Sequence, residues 1–432
     1  MRMEVHSTKH FWSILRRLEN WRDNFMVDDY TYGPDEFNSI VKMQMNKNIE
    51  ALLSFWARQL HRDYFELPHP ELAGIKSFAF CNKQIGMANF VFMTCGDENN
   101  AWIFGQCEGF IDIVITRTHI YHTSRSNKSP ILSNLKKLSD VDLPKSSKPS
   151  PYGIMLSQTR PYHFFYDQLK NFLSFPTNNR PVSVKDAFFI PDVVNVNECC
   201  GVYVYPTSIG NNQLRGGAAK RMNEKMEIRI FEEVCCHPSA RPLMDNKLIL
   251  WCGITGQKRM WVEQVDGIVN IVRTMSGNFS DIEVIIDGMT AREGKYIENK
   301  EDEEVFWNIA NRLGETHRVK SMIGRSYREK VAVCRDVDAF IANAGTGAFV
   351  PLRICRKPGV LHSNTRLDTF RDKYTHPVKR VEKNFVQDIV TGDNQRPDFL
   401  SYSIRWEHIY NLLAEVLNET RKTSVPLLDT RE

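Results

Sequence analysis

His163 and Asp167 stand four residues apart in "SQTRPYHFFYDQLKNFL", with Arg160 just upstream. At helical spacing, residues i and i+4 share one face, so the imidazole and the carboxylate can touch. A histidine oriented by a carboxylate is a general base, or a fixed hydrogen-bonding group, near neutral pH. The same ring is followed by Phe164, Phe165 and Tyr166, which equally fits a histidine packed in a helix–sheet core. Both readings stand at the level of sequence.

Two glycine turns suggest a second kind of chemistry. "LILWC" runs into Gly253-Ile254-Thr255-Gly256-Gln257-Lys258-Arg259, and "DAFIAN" runs into Ala344-Gly345-Thr346-Gly347. Glycines between a strand and a helix let backbone approach a ligand, and the helix N-terminus favours an anion. Lys258 and Arg259 add charge. Thr346 can cap a helix and donate to a phosphate oxygen. Gly253, Thr255, Gly256, Lys258 and Arg259 are therefore expected at one phosphate contact, and Gly345, Thr346 and Gly347 at another. The first stretch also reads as an ordinary tight turn with solvated cations, the second as close helix–sheet packing. The first has neither the GxxxxGK[ST] spacing of a P-loop nor the GxGxxG of a dinucleotide fold. His362 and Ser363 follow "KPGVL" at another strand end, within reach of a base or ribose. Asp287-Gly288 reads as a strand-end turn, and His317 and Arg318 as surface residues.

The elements that must position these groups differ between the two halves. From Asn246 onward, "KLILWCGI", "IEVIIDG", "HRVKSMIG", "AFIANAG" and "KPGVLHS" alternate with helical stretches, one of them from about Met260 to Met275. Near-continuous apolar strands alternating with helices predict a doubly wound parallel sheet, covered on both faces. The last helix carries Ile409, Leu412, Leu413, Val416 and Leu417 on one stripe. In the N-terminal half, Glu36 to Leu60 predicts one long amphipathic helix. "SFAFC", "NFVFMTC", "AWIFGQC", "FIDIVIT", "DAFFIPD" and "GVYVYPT" predict strands. Thr123 to Pro151 reads as a surface loop, and Gly210 to Lys225 as a mobile basic one.

Composition sets the class. The chain has 432 residues, 42% hydrophobic and 25% charged, which suits a core-forming protein of two or three domains. A net charge of +4 fits an anionic substrate without demanding nucleic acid. No signal peptide or membrane-spanning run is expected, which points to the cytoplasm. The ten cysteines include Cys199-Cys200 and Cys235-Cys236, the latter pair followed by His237. None has CxxC spacing, so free thiols are expected rather than a metal site.

The C-terminal order of elements resembles the donor-binding half of GT-B glycosyltransferases, notably the heptosyltransferase-like enzymes. The matching residues are Gly324, Glu329, Asp338 to Ala342, Gly345 to Gly347, and Lys357 to Val360. "HFFYDQL" is similar to a phrase of polysaccharide-building transferases. The turn lacks the family's acidic residue before Thr346 and the histidine after it, which points away from heptose to other surface sugars. The resemblance implies two Rossmann-like domains facing a cleft. Their expected spans are 1–240 for the acceptor, 241–400 for the nucleotide-sugar, and 401–432 for a helix crossing back. It implies sugar transfer from a nucleotide-sugar to a glycan or lipid-linked glycan in capsule or lipopolysaccharide synthesis. No cofactor and no metal are expected, and the site would lie close to the inner membrane. His163, Asp167 and Arg160 would carry the catalysis. A nucleotide-sugar epimerase of similar fold and a non-catalytic glycan- or nucleotide-binding module are the alternatives.

Overall fold

The computed structural model describes residues 8–31, 33–124, 129–175, 180–194, 196, 201–206, 217–236, 246–367, 370, 373–390 and 396–430. The chain divides into two compact units, Met1–Met226 and Glu227–Glu432.

The first unit is built on a seven-stranded sheet. Its strands are β1 (Met26–Asp29), β2 (Glu66–Pro68), β3 (Lys76–Ile85), β4 (Ala88–Thr94), β5 (Trp102–Gln106), β6 (Ile113–Ile115) and β7 (His119–His122). They lie in the order β1-β7-β6-β5-β4-β3-β2. Neighbours from β2 to β7 are antiparallel, and β1 joins β7 in parallel. This meander is not the Rossmann-like sheet that the resemblance implied for the N-terminal half. A smaller parallel sheet holds β8 (Tyr152–Met155), β9 (Val182–Ser183) and β10 (Val202–Val204) in the order β10-β8-β9.

Four local expectations change here: Thr123–Pro151 is not all surface loop, since Ser129–Leu132 and Leu135–Leu138 are helical and bury Ile131, Leu135 and Leu138 in the core. The Glu36–Leu60 helix is two helices, Asp35–Met45 and Ile49–Leu60. Between them Lys47 takes φ +54°, and the Asn48 side chain caps the second helix by accepting from the Ala51 N–H. "DAFFIPD" forms no strand. Gly217 to Lys225 is helical, the start of a Gly217–Val234 helix, while 210–216 lie outside the described residues.

The second unit contains the expected doubly wound sheet. Its strands are β11 (Lys247–Gly253), β12 (Asp281–Asp287), β13 (Arg318–Ser321), β14 (Ala339–Asn343), β15 (Gly359–His362) and β16 (Val378–Arg380). They run parallel in the order β13-β12-β11-β14-β15-β16. Counted within the sheet that is 3-2-1-4-5-6, so the winding reverses between β11 and β14. An antiparallel pair, β17 (Gln387–Ile389) and β18 (Ser401–Ser403), follows. Leu248, Leu250, Val284, Ile286 and Ile341 bury one sheet face against Ile268, Val272 and Met275 of the Gln264–Met275 helix. Ile409, Leu413 and Leu417 of the Trp406–Arg421 helix join that same core. The last helix thus packs on its own unit's sheet, where a crossing to the first domain was expected.

Candidate functional site

Each unit gathers one group of chemically capable side chains. In the first, Pro161 opens a short helical turn, its missing N–H harmless at that position. The chain then widens into a π-helical turn over Phe164–Leu169. There the His163 Nδ1 lies 2.6 Å from Asp167 Oδ2, and both side chains are buried. A carboxylate only accepts, so Nδ1 holds the proton and the neutral ring leaves Nε2 basic. Nε2 has no hydrogen-bond partner among the described residues and is not among their fully enclosed atoms. Burial works against a charged ring. The Asp167 hydrogen bond and charge, with Glu108 behind them, outweigh it and hold the His163 pKa above its ordinary 6.5, while Arg160 opposes them. Core packing and an oriented base therefore coexist in one residue. Arg160 itself is exposed at the edge of this group.

Sequence reasoning missed Glu108. It is buried, on the loop after β5, and burial holds its carboxyl above the ordinary range while the nearby His163 charge works the other way. The only sequence cue was a carboxylate beside a glycine between two apolar strands.

The second group lies at the carboxyl ends of β11 and β14, where the winding reverses and an open α/β sheet leaves a crevice. The two glycine turns meet here. A Cβ on Gly345 would stand 2.8 Å from Arg259 Nη1, so glycine is what lets the guanidinium lie against this backbone. Arg259 is held in the left-handed region at φ +54°, and its carbonyl accepts from Asn343 Nδ2 at 2.9 Å. Asn343 Nδ2 also donates to the Tyr402 hydroxyl at 2.7 Å, and that hydroxyl donates to His362 Nδ1 at 2.8 Å. Burial, reinforced by Arg380, pushes the His362 pKa down to about 3 and keeps the ring neutral. His362 supports this network from within the core rather than reaching a base or ribose directly. Ser363 is buried beside it. Asn343 and Tyr402 were not picked out from the sequence, since their role depends on three strand ends converging.

Around Gly347 the backbone is open, with nothing within 4 Å of the place a Cβ would take. Thr346 does not cap a helix through its side chain, because a single 3-10 turn over Thr346–Ala348 leads into a π-helical turn over Phe349–Ile354. The Thr346 hydroxyl and the N–H groups of Thr346 and Gly347 have no partner among the described residues. Three donors without partners thus sit in the same turn as Gly345, against which the Arg259 guanidinium lies.

The Gly253–Arg259 turn uses most of its groups internally. The Thr255 N–H donates to Gln264 Oε1, and the Gly256 N–H to Asp302 Oδ1 at 2.7 Å. Asp302 Oδ2 accepts from the Met289 N–H, so one carboxylate ties the turns after β11 and β12. Gly256 is needed because a Cβ would meet the Glu301 backbone at 2.6 Å; Gly253 lies against Ala342. Lys258 Nζ sits 4.6 Å from the centre of the Phe399 ring. The following helix begins at Gln264, not Met260, with the acidic Glu263 at its N-cap, so its N-terminus is a poor anion site. Of this turn, Arg259 remains the strong candidate.

Other motif residues serve the framework. Glu329 forms a reciprocal capping box with Ser326, and Gly324 turns the chain at φ +71°. Asp338 accepts from the Ile249 N–H. Asp287 is a strand-end anchor, paired at 2.5 Å with the fully buried Lys330. His317 bonds Ser276 and Arg318 pairs with Asp281, both away from either site. Cys235 and Cys236 are free thiols; His237, Cys199 and Cys200 lie outside the described residues. Among the described residues no cluster of metal-ligating side chains occurs, and no helix is long and apolar enough to cross a membrane.

No family model matches the chain, and no curated protein does. Among solved structures it has a weak likeness to the S. aureus MnaA–UDP co-structure, at 11% identity and a TM-score of 0.22. The match covers 32% of this chain and 34% of that one, so the chain spans about a third of that protein's length.

Proposed function

We propose that the protein is a glycosyltransferase that moves a sugar from a nucleotide-sugar to a glycan acceptor. The observation that carries this reading is the closeness of Arg259 to Gly345, next in sequence to the unbonded donors of Thr346 and Gly347, at the switch point of a 3-2-1-4-5-6 sheet. A diphosphate fits that chemistry: backbone N–H groups and a hydroxyl take its oxygens, and the guanidinium balances its charge. The same groups would stabilise the leaving diphosphate as the sugar departs. His163, with its ring fixed by Asp167, would take the proton from the acceptor hydroxyl. Arg160 would steer an anionic acceptor. The surface-glycan setting, close to the inner membrane, comes from the resemblance described above.

The test is titration calorimetry with UDP, GDP, ADP and CMP, followed by nucleotide release from the matching sugar donor. Thr346→Val keeps shape and removes the hydroxyl. A hydrogen bond to a charged group contributes about 1.5–3 kcal/mol, so affinity should fall about tenfold or more. Unchanged affinity would make the turn purely structural. Release of free nucleotide that depends on a glycan acceptor supports transfer. Sugar isomerisation without an acceptor would instead make the protein an epimerase.

A further inference from the structure

We propose that Tyr402 is a positioning residue of the second unit's candidate anion site: acting through Asn343, its hydroxyl holds Arg259 in the conformation that lays the guanidinium against Gly345. That this guanidinium meets a phosphate rests on the function proposed above; the positioning does not.

Arg259 is an outlier that needs a cause. Its φ of +54° lies in the left-handed region, which is costly for a residue with a Cβ and persists only where the surroundings enforce it. Lys47, Arg356 and Lys422 share that region, but each follows the end of a helical stretch, where it is common. Arg259 ends no helix. Its side chain does not recover the cost in bonds. The guanidinium has no hydrogen-bond or ion-pair partner among the described residues, and its Nε is enclosed without one. Asp398 acts on it electrostatically from beyond ion-pair distance and is itself bonded to Arg396. A half-buried cation left unpaired weakens a fold rather than supporting it. An anion arriving at Gly345 would give it a partner.

A chain of hydrogen bonds enforces the conformation, and the Arg259 carbonyl sets its direction. That carbonyl only accepts, so Asn343 turns its Nδ2 toward it, at 2.9 Å. The second hydrogen of Nδ2 goes to the Tyr402 oxygen at 2.7 Å, which frees the hydroxyl proton for His362 Nδ1 at 2.8 Å. Tyr402 and His362 are both buried, so the chain hangs from the core. The other amide atom of Asn343, Oδ1, is then turned toward Gly345, where a Cβ would come within 3.1 Å of it.

Tyr402 grips the same turn through its backbone. Its N–H donates to the Met260 carbonyl and its carbonyl accepts from the Val262 N–H, both at 3.0 Å. The neighbouring Ser401 Oγ accepts from the Met260 N–H at 3.2 Å. The chain just after Arg259 is thus tied to β18, and the Arg259 carbonyl to the end of β14. Tyr402 acts through Asn343 and Arg259 and touches no ligand in this role.

Exchange of the Arg259 Nε–H with water, followed by nitrogen-15 magnetic resonance on the full chain, reads the positioning without any ligand. Arg259→Lys assigns the signal. Tyr402→Phe removes the hydroxyl and its two hydrogen bonds, so exchange at Arg259 should quicken about tenfold or more. Arg421 is the control, since its guanidinium is held by the Lys247 carbonyl and Asp338 in the same unit. Its exchange should not move. Wild-type exchange at Arg259 in a folded Tyr402→Phe overturns the proposal, and so does an equal quickening of Arg259 and Arg421. Should Tyr402→Phe fail to fold, Asn343→Ala, at the half-buried strand end, carries the same test. Arg259→Gly relieves the left-handed backbone, so its melting temperature should not fall. A fall would show that the side chain serves the fold, and would overturn the proposal as well. Calorimetry with inorganic pyrophosphate tests the phosphate reading separately. Pyrophosphate affinity that drops about tenfold or more in Tyr402→Phe, in step with the exchange, supports both. Altered exchange in a protein that binds no pyrophosphate upholds the positioning and removes the phosphate from Arg259.

Discussion

At the scale of single residues, His163 combines what the sequence offered as alternatives. It is 7% exposed and packed among aromatics, yet its Nδ1 is bonded and its Nε2 is not. His163→Ala should therefore cut turnover by about 10²–10⁴, the usual span for a general base. Nucleotide affinity should hold, since Arg259, Thr346 and Gly347 belong to the other unit. A single-turnover assay beside a melting scan separates the outcomes: a lower melting temperature with normal turnover would make the ring a core residue alone. Glu108 shows why such sites are only partly legible in sequence. The i,i+4 pair of His163 and Asp167 follows from helical geometry. The burial of Glu108 depends on hydrogen bonds to residues some fifty positions away, such as Gln158 Nε2 to the Cys107 carbonyl.

At the scale of elements, the turn after β12 depends on one buried ion pair. Lys330 Nζ contacts Asp287 and donates to the carbonyls of Gly288 and Met289 and to Thr290 Oγ1. Lys330→Met would leave Asp287 buried without its counter-ion, at about 3–5 kcal/mol of stability. Urea denaturation should show that loss, and adding Asp287→Asn should recover part of it. A loss under about 1 kcal/mol would mean that water reaches the pair. The C-terminal elements were legible because β11 and β14, and the second half of β12, are buried on both faces and so read as apolar runs. The same physics hid the antiparallel sheet. Every residue of β4 and β5 is buried, so these strands lose the alternation that marks a half-exposed meander. The long N-terminal helix was misread because Asn46-Lys47-Asn48 stops it with a left-handed residue and a new cap, a break shorter than the periodicity window.

At the scale of the whole molecule, each unit carries its own candidate group. Hydrogen exchange should reflect that. A bound nucleoside diphosphate should slow exchange in 343–349 and near Arg259, and leave 107–112 and 157–168 unchanged. Protection confined to the first unit would place the nucleotide on the wrong half. Both candidate segments also share a device. A π-helical turn follows each, over Phe164–Leu169 and over Phe349–Ile354. Such a turn holds one residue more than an α-turn. Everything downstream is thus rotated by about 100° relative to an unbroken α-helix. Removing any one residue would restore a smoother helix and swing Leu169 and Phe172, or Leu352 and Ile354, off the core. Residue count itself is therefore under constraint here, because it sets the phase between site and core.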